Sequence, residues 1–131
     1  MRISVRACEL NDIAQIRELY RAEMDCQIIH DSIHARPGWP NEYRLDLDGA
    51  LVGYGSVAIG GPWTTAHALY EFYVKQDYRL RIFDLFAALL ATCRATIIET
   101  QSNELLLPVM LHTFAQNVRA EAILFEDCFE T

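Results

Sequence analysis

The fold is decided by residues 69–93, which begin Leu69-Tyr70-Glu71-Phe72-Tyr73-Val74 and continue Lys75-Gln76-Asp77-Tyr78-Arg79. Aromatic and β-branched residues dominate the first six positions, so they predict a strand, and the next five residues predict a tight turn. Apolar side chains then recur at helical spacing, at Ile82, Phe83, Phe86, Leu89, Leu90 and Cys93. A strand that leads into a helix start is a natural anion site, because free backbone N–H groups and the helix dipole converge there.

A hairpin precedes this unit in the sequence. Asp48-Gly49 separates two strand-like runs, Tyr43–Leu47 and Leu51–Gly55, and a type I′ turn needs the positive φ that Asp and Gly tolerate. Gly53 and Gly55 alternate on one face of the second run. They leave space for something to lie close to the backbone, or mark a bulge, or allow a neighbouring side chain to pack closely.

Length and composition bound the class of protein. At 131 residues, with 52% hydrophobic and 22% charged residues, the chain suits one globular domain with a real core. Its longest apolar runs, 82–91 and 105–111, are broken by charge or proline and fall short of a membrane span. A net charge of −7 disfavours a nucleic-acid partner and suits a cationic amine. The first residues lack the apolar core of a secretory signal, which indicates the cytoplasm.

The sequence does not indicate a metal site. The four cysteines lack the paired spacing of a zinc site and are expected to be small buried apolar residues: Cys8, Cys26, Cys93 and Cys128. His30 and His34 stand four apart, so on a helix they would share a face and could bind a metal with a third ligand. No third ligand occurs at a recognisable spacing, and we expect no metal.

The order of elements around residues 69–93 resembles that of the GNAT superfamily of N-acetyltransferases, and the resemblance covers nearly the whole chain. The matching segments are, in chain order, Ile3–Ala7, Asn11–Met24, Tyr43–Ile59, Leu69–Val74, Leu80–Cys93, Thr96–Thr100, Asn103–Arg119 and Ala122–Phe129. The resemblance implies an α/β (α+β) fold in which helices flank a mixed, mostly antiparallel central sheet. It also implies that residues 1–131 form a single domain of this kind.

Several boundaries follow from individual residues. Asn11 or Asp12 offers an N-cap for the first helix, and a second short helix is predicted over Cys26–Ile33. A loop is predicted over residues 35–41, which contain two prolines and a glycine. Proline is unfavourable inside a helix, so the helix over residues 103–119 either kinks at Pro108 or begins close to it.

The resemblance implies transfer of an acetyl group from acetyl-CoA to a primary amine of a small molecule or peptide, by direct attack on the thioester. In the family, the strand–turn–helix unit holds the pyrophosphate of acetyl-CoA, and Val74 and Arg79 match the family's loop. By this resemblance, the residues expected to bind acetyl-CoA are Phe72, Val74, Arg79, Leu80, Arg81, Ile82, Phe83 and Asn103. The main-chain N–H of Val74 or a neighbour is the expected hydrogen-bond donor to the thioester carbonyl. Asn103 alternates with Glu99 and Gln101, and these side chains bind the pantetheine arm or substrate, or cap the next helix.

Two residues are candidates for acid–base catalysis. Glu71 lies on the opposite face of its strand from Phe72 and Val74, and acidic residues of this strand act as the base in some family members. The alternative for Glu71 is a solvated or salt-bridged carboxylate. Many family members protonate the departing thiolate with a tyrosine of a late helix, and no tyrosine follows Tyr78 here. His112 could take that role, or it is an ordinary helix histidine.

The chain departs from the family's loop, which usually carries glycines at alternate positions where this sequence has Leu80, Ile82 and Asp84. Asp84 also has a structural explanation, because a carboxylate in the first turn offsets the helix dipole. An alternative interpretation is therefore a catalytically inactive GNAT-fold module for binding or dimerisation. The family usually closes its sheet with a seventh strand, whereas this sequence stops at Thr131, after the predicted sixth. Because an unpaired sheet edge invites association, we expect a homodimer.

Overall fold

One sheet of five strands organises the computed structural model, which describes residues 2–24, 34, 36–100 and 106–115. The strands lie side by side in chain order and are β1 (Ile3–Cys8), β2 (Pro40–Leu47), β3 (Ala50–Ala58), β4 (Ala68–Val74) and β5 (Ile97–Ile98). The first four strands are antiparallel to their neighbours, while β5 runs parallel to β4. The predicted mixed, mostly antiparallel sheet is confirmed.

Helices cover both faces of this sheet. They are α1 (Ala14–Met24), α2 (Ile82–Cys93) and α3 (Leu107–Phe114). Short 3-10 segments lead into α1 at Leu10–Ile13 and into α2 at Gln76–Arg81. We call the side covered by α1 the α1 face, and the side covered by α2 and α3 the α2 face. Within the described ranges, no helix is long and apolar enough to cross a membrane.

Apolar side chains pack on both faces, and β4 is buried along its whole length. One buried apolar cluster lies on the α1 face and contains Ile13, Ile16, Tyr20, Met24, Tyr54 and Tyr73. The core of the α2 face is larger and includes Phe72 and Phe86, whose ring centroids lie 4.7 Å apart. Burial on both faces explains why β4 is an almost continuous apolar run in the sequence.

The hairpin between β2 and β3 turns where the sequence predicts. Asp48 has φ 52° and Gly49 has φ 86°, the positive values that a type I′ turn requires. A bulge interrupts the pairing of β2 with β3 next to Gly53. A Cβ added at Gly55 would clash with the side chain of Leu89. The alternating glycines therefore mark a bulge at one position and close packing by a neighbouring side chain at the other.

Several predicted boundaries are wrong. The first helical segment is capped by Glu9, not by Asn11 or Asp12, and the Glu9 N–H donates to the Asp12 carboxylate at 2.9 Å. β2 begins at Pro40, inside the predicted loop, because proline is tolerated as the first residue of a strand. β5 has two residues instead of the five predicted over residues 96–100.

The helical boundaries after β4 also differ from expectation. α2 proper begins at Ile82, because residues 76–81 form the 3-10 segment. α3 begins at Leu107 with Pro108 in its first turn. Of the two alternatives for Pro108, this confirms a helix that begins close to the proline, not one that kinks there. The helix predicted over Cys26–Ile33 and the strand predicted over Ala122–Phe129 lie outside the described residues.

Candidate active site

β4 carries one extra residue relative to β3. Ser56 lies opposite Glu71, and the next residue of β3 lies opposite Leu69, so Tyr70 is the bulged residue. A bulge changes the direction of the side chains that flank it. Here the consecutive residues Tyr70 and Glu71 both reach the α1 face, where each contacts His34. The bulge thus brings two polar side chains of one strand to the same place.

A polar row crosses the sheet at this level, formed by residues that face one another from β1 to β4: Cys8, Glu42, Ser56 and Glu71. The Ser56 hydroxyl donates to Oε1 of Glu42, and both carboxylates of the row are buried. Burial, helped by the charges of Asp12 and Glu42, raises the pKa of the Cys8 thiol to about 11. Cys8 is therefore a neutral thiol near pH 7 and not a nucleophile.

The Glu71 carboxylate is fully buried and accepts hydrogen bonds from Arg17, Tyr54 and His34. Nε of Arg17 on α1 donates to Oε2 at 2.9 Å, and the Tyr54 hydroxyl donates to the same oxygen. Nε2 of His34 lies 3.2 Å from Oε1. These bonds provide the compensation that a buried carboxylate requires. Glu71 is thus a salt-bridged carboxylate, and its catalytic role stays a prediction.

His34 bridges the two carboxylates of the polar row. Its Nδ1 lies 2.7 Å from Oε2 of Glu42, and its Nε2 contacts Glu71. A neutral imidazole has only one N–H, so the imidazolium is the form that donates to both. Burial opposes this charge, but hydrogen bonds to Glu42 and Glu71 outweigh it and raise the pKa of His34 to about 9. Arg17 and His34 therefore balance the charges of the two buried carboxylates.

The spacing of His30 and His34 allows a shared metal only with a third ligand. His34 instead binds two carboxylates, and His30 lies outside the described residues. No group of His, Cys, Asp and Glu within the part of the chain that the structure describes has the arrangement of a metal site.

A cleft of about 630 Å³ opens beside the polar row, where β1 ends and β2 begins. Its charged lining residues are Glu9, Asp12, His34, Arg36 and Glu42. Glu42 and His34 belong to both the cleft and the buried network. Because the strands are antiparallel, the cleft lies at the opposite end of the sheet from the start of α2.

β5 pairs with β4 over a short stretch only, and we call the edge of β4 beyond this pairing, which no described strand covers, the β4 gap. Within the described ranges, β5 pairs only with the first two residues of β4. The Lys75 N–H donates to the Val52 carbonyl of β3 at 2.9 Å. Main-chain groups alternate along such a ladder, so those of Phe72 and Val74 point away from β3 and toward the gap. Leu106 packs against the apolar clusters of both faces, which places it at this edge.

Arg79 links the loop after β4 to α1. Its Nε donates to the Val74 carbonyl at 2.9 Å, and its Nη2 lies 2.9 Å from both carboxylate oxygens of Glu23. The Tyr73 hydroxyl donates to the same carboxylate. Partial burial raises the pKa of Glu23, but hydrogen bonds from Tyr73 and Arg79 outweigh it and leave the pKa lowered. Burial and the bond to Glu23 raise the pKa of Tyr73 to about 12.

The start of α2 lies directly after this loop. No side chain of the described residues caps its N-terminus. Leu80 is 98% exposed and Phe83 is 48% exposed, whereas Ile82 packs against the core of the α2 face. Nε of Arg81 lies 3.4 Å from Oδ2 of Asp84. Both arginines of the predicted phosphate-binding segment are therefore paired with carboxylates.

The sequence also predicts roles for His112, Glu99, Gln101 and Asn103. His112 is exposed in the last turn of α3, a helix that packs on the α2 face. Glu99 accepts a hydrogen bond from the Trp63 indole N–H at 2.7 Å. Gln101 and Asn103 lie outside the described residues.

The sequence interpretation missed the partners of Glu71. Arg17 was detectable, because it falls on the apolar stripe of α1 together with Ile13, Ile16 and Tyr20. A charge on such a stripe is rarely buried unless it is paired. Glu42, the second carboxylate that His34 contacts, gave no comparable signal, because it immediately follows the loop predicted over residues 35–41.

Comparison with known proteins identifies the fold. The sequence matches no protein-family model and no curated protein. The ribosomal-protein-alanine N-acetyltransferase from Brucella melitensis biovar Abortus 2308 has a TM-score of 0.62 at 14% identity, covering 95% of this chain and 98% of that chain. The aminoglycoside N-acetyltransferase AAC(6')-Iy in complex with CoA has a TM-score of 0.57 at 16% identity, covering 93% of this chain and 96% of that chain. The glucosamine-6-phosphate N-acetyltransferase from Arabidopsis thaliana has a TM-score of 0.57 at 11% identity, covering 95% of this chain and 98% of that chain.

All three similar proteins are N-acetyltransferases by name, and each likeness extends over nearly the whole of both chains. At these identities the likeness defines the fold. The chain has the fold of the GNAT superfamily of N-acetyltransferases, as the sequence predicts.

Proposed function

We propose that the chain is an acetyl-CoA-dependent N-acetyltransferase that acetylates a primary amine by direct attack on the thioester. The observation that carries the proposal is the β4 gap, in a chain with the GNAT fold. A strand edge next to a helix start offers amide partners for the arm of CoA and an anion site for its phosphates. One protein with this fold, AAC(6')-Iy, binds CoA.

In this proposal the acyl donor lies along the edge of β4 that no described strand pairs with. The amides of the pantetheine arm pair with main-chain groups of Phe72 and Val74, as an added strand would. The Val74 N–H donates to the thioester carbonyl and stabilises the negative charge that develops on its oxygen during attack. The attacking amine nitrogen bonds to the carbonyl carbon, the bond to sulfur breaks, and CoA leaves as the thiolate.

The phosphates of CoA lie at the start of α2. Leu80, Ile82 and Phe83 contribute main-chain N–H groups, while Arg79 and Arg81 contribute positive charge. Loop glycines are not required for this, because the Leu80 side chain extends into solvent and Ile82 packs inward. Asn103 completes the proposed set by contacting the pantetheine arm.

Acid–base catalysis is assigned to Glu71 and His112. The amine must lose a proton and the thiolate must gain one. Glu71 is the proposed acceptor, and since its carboxylate is fully buried it takes the proton through an intervening group instead of touching the amine. His112 is the proposed donor to the thiolate. In an active enzyme, Glu71→Gln and His112→Gln should each lower kcat more than they raise KM.

The acceptor is proposed to be a cationic primary amine of a small molecule or peptide. The net charge of −7 attracts such a molecule. Proteins with this fold act on chemically different amines, as the names aminoglycoside, ribosomal-protein-alanine and glucosamine-6-phosphate N-acetyltransferase state. These three classes define the first acceptor panel: an aminoglycoside, a peptide with N-terminal alanine, and glucosamine 6-phosphate.

Calorimetric titration of acetyl-CoA and CoA tests the donor site. We expect dissociation constants near the micromolar range and about tenfold weaker binding by Arg79→Ala. Arg94→Ala is the matched control, because it removes the same charge from an exposed position at the other end of α2. The absence of heat and of thermal stabilisation at millimolar ligand would refute the proposal and favour the inactive binding module.

Incubation of the protein with acetyl-CoA and the acceptor panel tests the reaction. Mass spectrometry should detect one acetylated amine, and thiol release should match it in amount. Thiol release without an acetylated product would indicate hydrolysis and contradict N-acetyl transfer.

We further propose that the protein acts in the cytoplasm as a homodimer. Among the described strands, β1 has a neighbour on one side only, and an open edge of this kind favours association. Light scattering at micromolar concentration should give the mass of two chains. A strictly monomeric profile would contradict the dimer.

A further inference from the structure

The positive charge at the start of α2 is neutralised within the chain by two unequal ion pairs. Nε of Arg81 lies 3.4 Å from Oδ2 of Asp84, and the Asp84 side chain is 67% exposed. The side chains of Arg79 and Glu23 are 25% and 21% exposed. Glu23 is therefore less exposed than Asp84 and lies closer to its arginine.

Glu23 occupies one guanidinium nitrogen of Arg79 that a phosphate could use. Nη2 of Arg79 lies 2.9 Å from each of its carboxylate oxygens. A guanidinium group binds carboxylate and phosphate oxygens through the same N–H donors. An anion at the start of α2 and the Glu23 carboxylate consequently compete for Arg79.

Glu23 and Arg79 each make a hydrogen bond to another residue, independently of the ion pair between them. The Tyr73 hydroxyl holds Glu23, and the ring of Tyr73 is buried within the sheet. Nε of Arg79 holds the Val74 carbonyl, next to the β4 gap. When Glu23 is displaced, Arg79 therefore remains attached to the end of β4, with Nη2 available to a ligand.

We infer that Glu23 is an autoinhibitory residue, which occupies Arg79 until a phosphate-bearing ligand displaces it. This inference rests on the proposed function, because it concerns regulation of the same donor site. It implies that the resting protein binds CoA more weakly than its own arginines allow. A change that moves the Glu23 carboxylate away from Arg79 opens the site without any change in the residues that bind CoA.

Calorimetric titration of CoA into Glu23→Gln tests the inference. This substitution keeps the size of the side chain and removes its charge, so we expect binding about fivefold tighter than in the unsubstituted protein. Inorganic pyrophosphate, titrated in parallel, should bind more tightly as well. Glu18→Gln is the matched control, because Glu18 is an exposed carboxylate of the same helix and its loss changes the net charge equally.

Two further variants separate competition from a structural effect. In an Arg79→Ala background, Glu23→Gln should change CoA affinity no more than Glu18→Gln does. Tyr73→Phe removes one hydrogen bond to Glu23 and leaves that from Gln76, so it should tighten CoA binding by less than Glu23→Gln. Thermal melting of each variant checks that the comparison is made between folded proteins.

The outcomes distinguish this inference from the proposed function. Unchanged or weaker CoA binding by Glu23→Gln would overturn the inference, because Glu23 would then position Arg79 for the phosphate. Tighter binding by Glu23→Gln, with no amine acetylated by any variant, would support the inference and refute the enzyme. No binding of CoA or pyrophosphate by any variant would refute both.

Discussion

The polar row on the α1 face and the loop at the start of α2 use charged side chains in opposite ways. Glu42 and Glu71 are buried and bridged by His34, so losing one partner leaves a charge without compensation. Glu23 and Asp84 form partly exposed pairs, which solvent can replace at little cost. The comparison indicates that the row stabilises the fold, whereas the loop can exchange an internal carboxylate for a ligand.

The largest expected effect on stability comes from a substitution that breaks the buried polar row. Arg17→Met leaves the Glu71 carboxylate without its guanidinium partner and should lower the free energy of unfolding by about 3–5 kcal/mol. Urea denaturation measures this loss. Arg21→Met is the matched control on the exposed side of α1 and should change the free energy by less than about 0.5 kcal/mol. Equal losses in the two variants would contradict the role of the row.

The next effect is a dependence of stability on pH. His34 has its pKa raised from 6.5 to about 9 in the folded protein, so its protonation contributes stability that is fully present below pH 6.5. That contribution is lost as the pH rises through about 9 and is on the order of 3 kcal/mol. Urea unfolding of the unsubstituted protein and of His34→Gln should therefore differ most near pH 6 and converge near pH 10. A constant difference across this range would show that His34 is neutral in the folded protein.

The smallest effect concerns the exposed loop. Leu80→Glu should leave the free energy of unfolding within about 0.5 kcal/mol, because the Leu80 side chain is almost fully exposed. It should weaken CoA binding by about fivefold, since it adds negative charge beside the proposed phosphate site. Leu80→Gln is the control for size and polarity. Equal affinities of the two variants for CoA would show that Leu80 does not lie beside the phosphate site.

The main elements could be predicted because their signals are local. The β2–β3 turn depends on Asp48-Gly49, and α2 depends on apolar residues at helical spacing, both of which lie within one short stretch. The order of strands followed from the family resemblance. The late start of α3 was one of two alternatives that Pro108 allowed.

The bulge at Tyr70 could not be predicted. Residues 69–74 are buried on both faces, so no alternation between polar and apolar side chains reveals which face each occupies. The extra residue changes the register, and it moves Tyr70 onto the face of Glu71. Without knowledge of the bulge, the spacing of residues in the sequence could not predict the contacts of His34 with β4.

The partners of Glu71 and Arg79 were hidden for another reason. Arg17 lies 54 residues before Glu71, and Glu23 lies 56 residues before Arg79. Ion pairs between distant segments leave no local pattern, and only a charge on an apolar stripe, as at Arg17, indicates that a partner exists. Glu23 is partly exposed, so even that indication is missing there.

The most direct test of the central claim is amide chemical-shift mapping by NMR while acetyl-CoA is added. We expect saturable shifts at Phe72, Val74 and residues 80–84, with the amides of Glu42 and Ser56 unchanged. Shifts confined to the cleft residues 7–12 and 36–42 would place the ligand at the opposite end of the sheet and contradict a donor site at the β4 gap. No shifts at millimolar acetyl-CoA would show that the β4 gap is not a donor site.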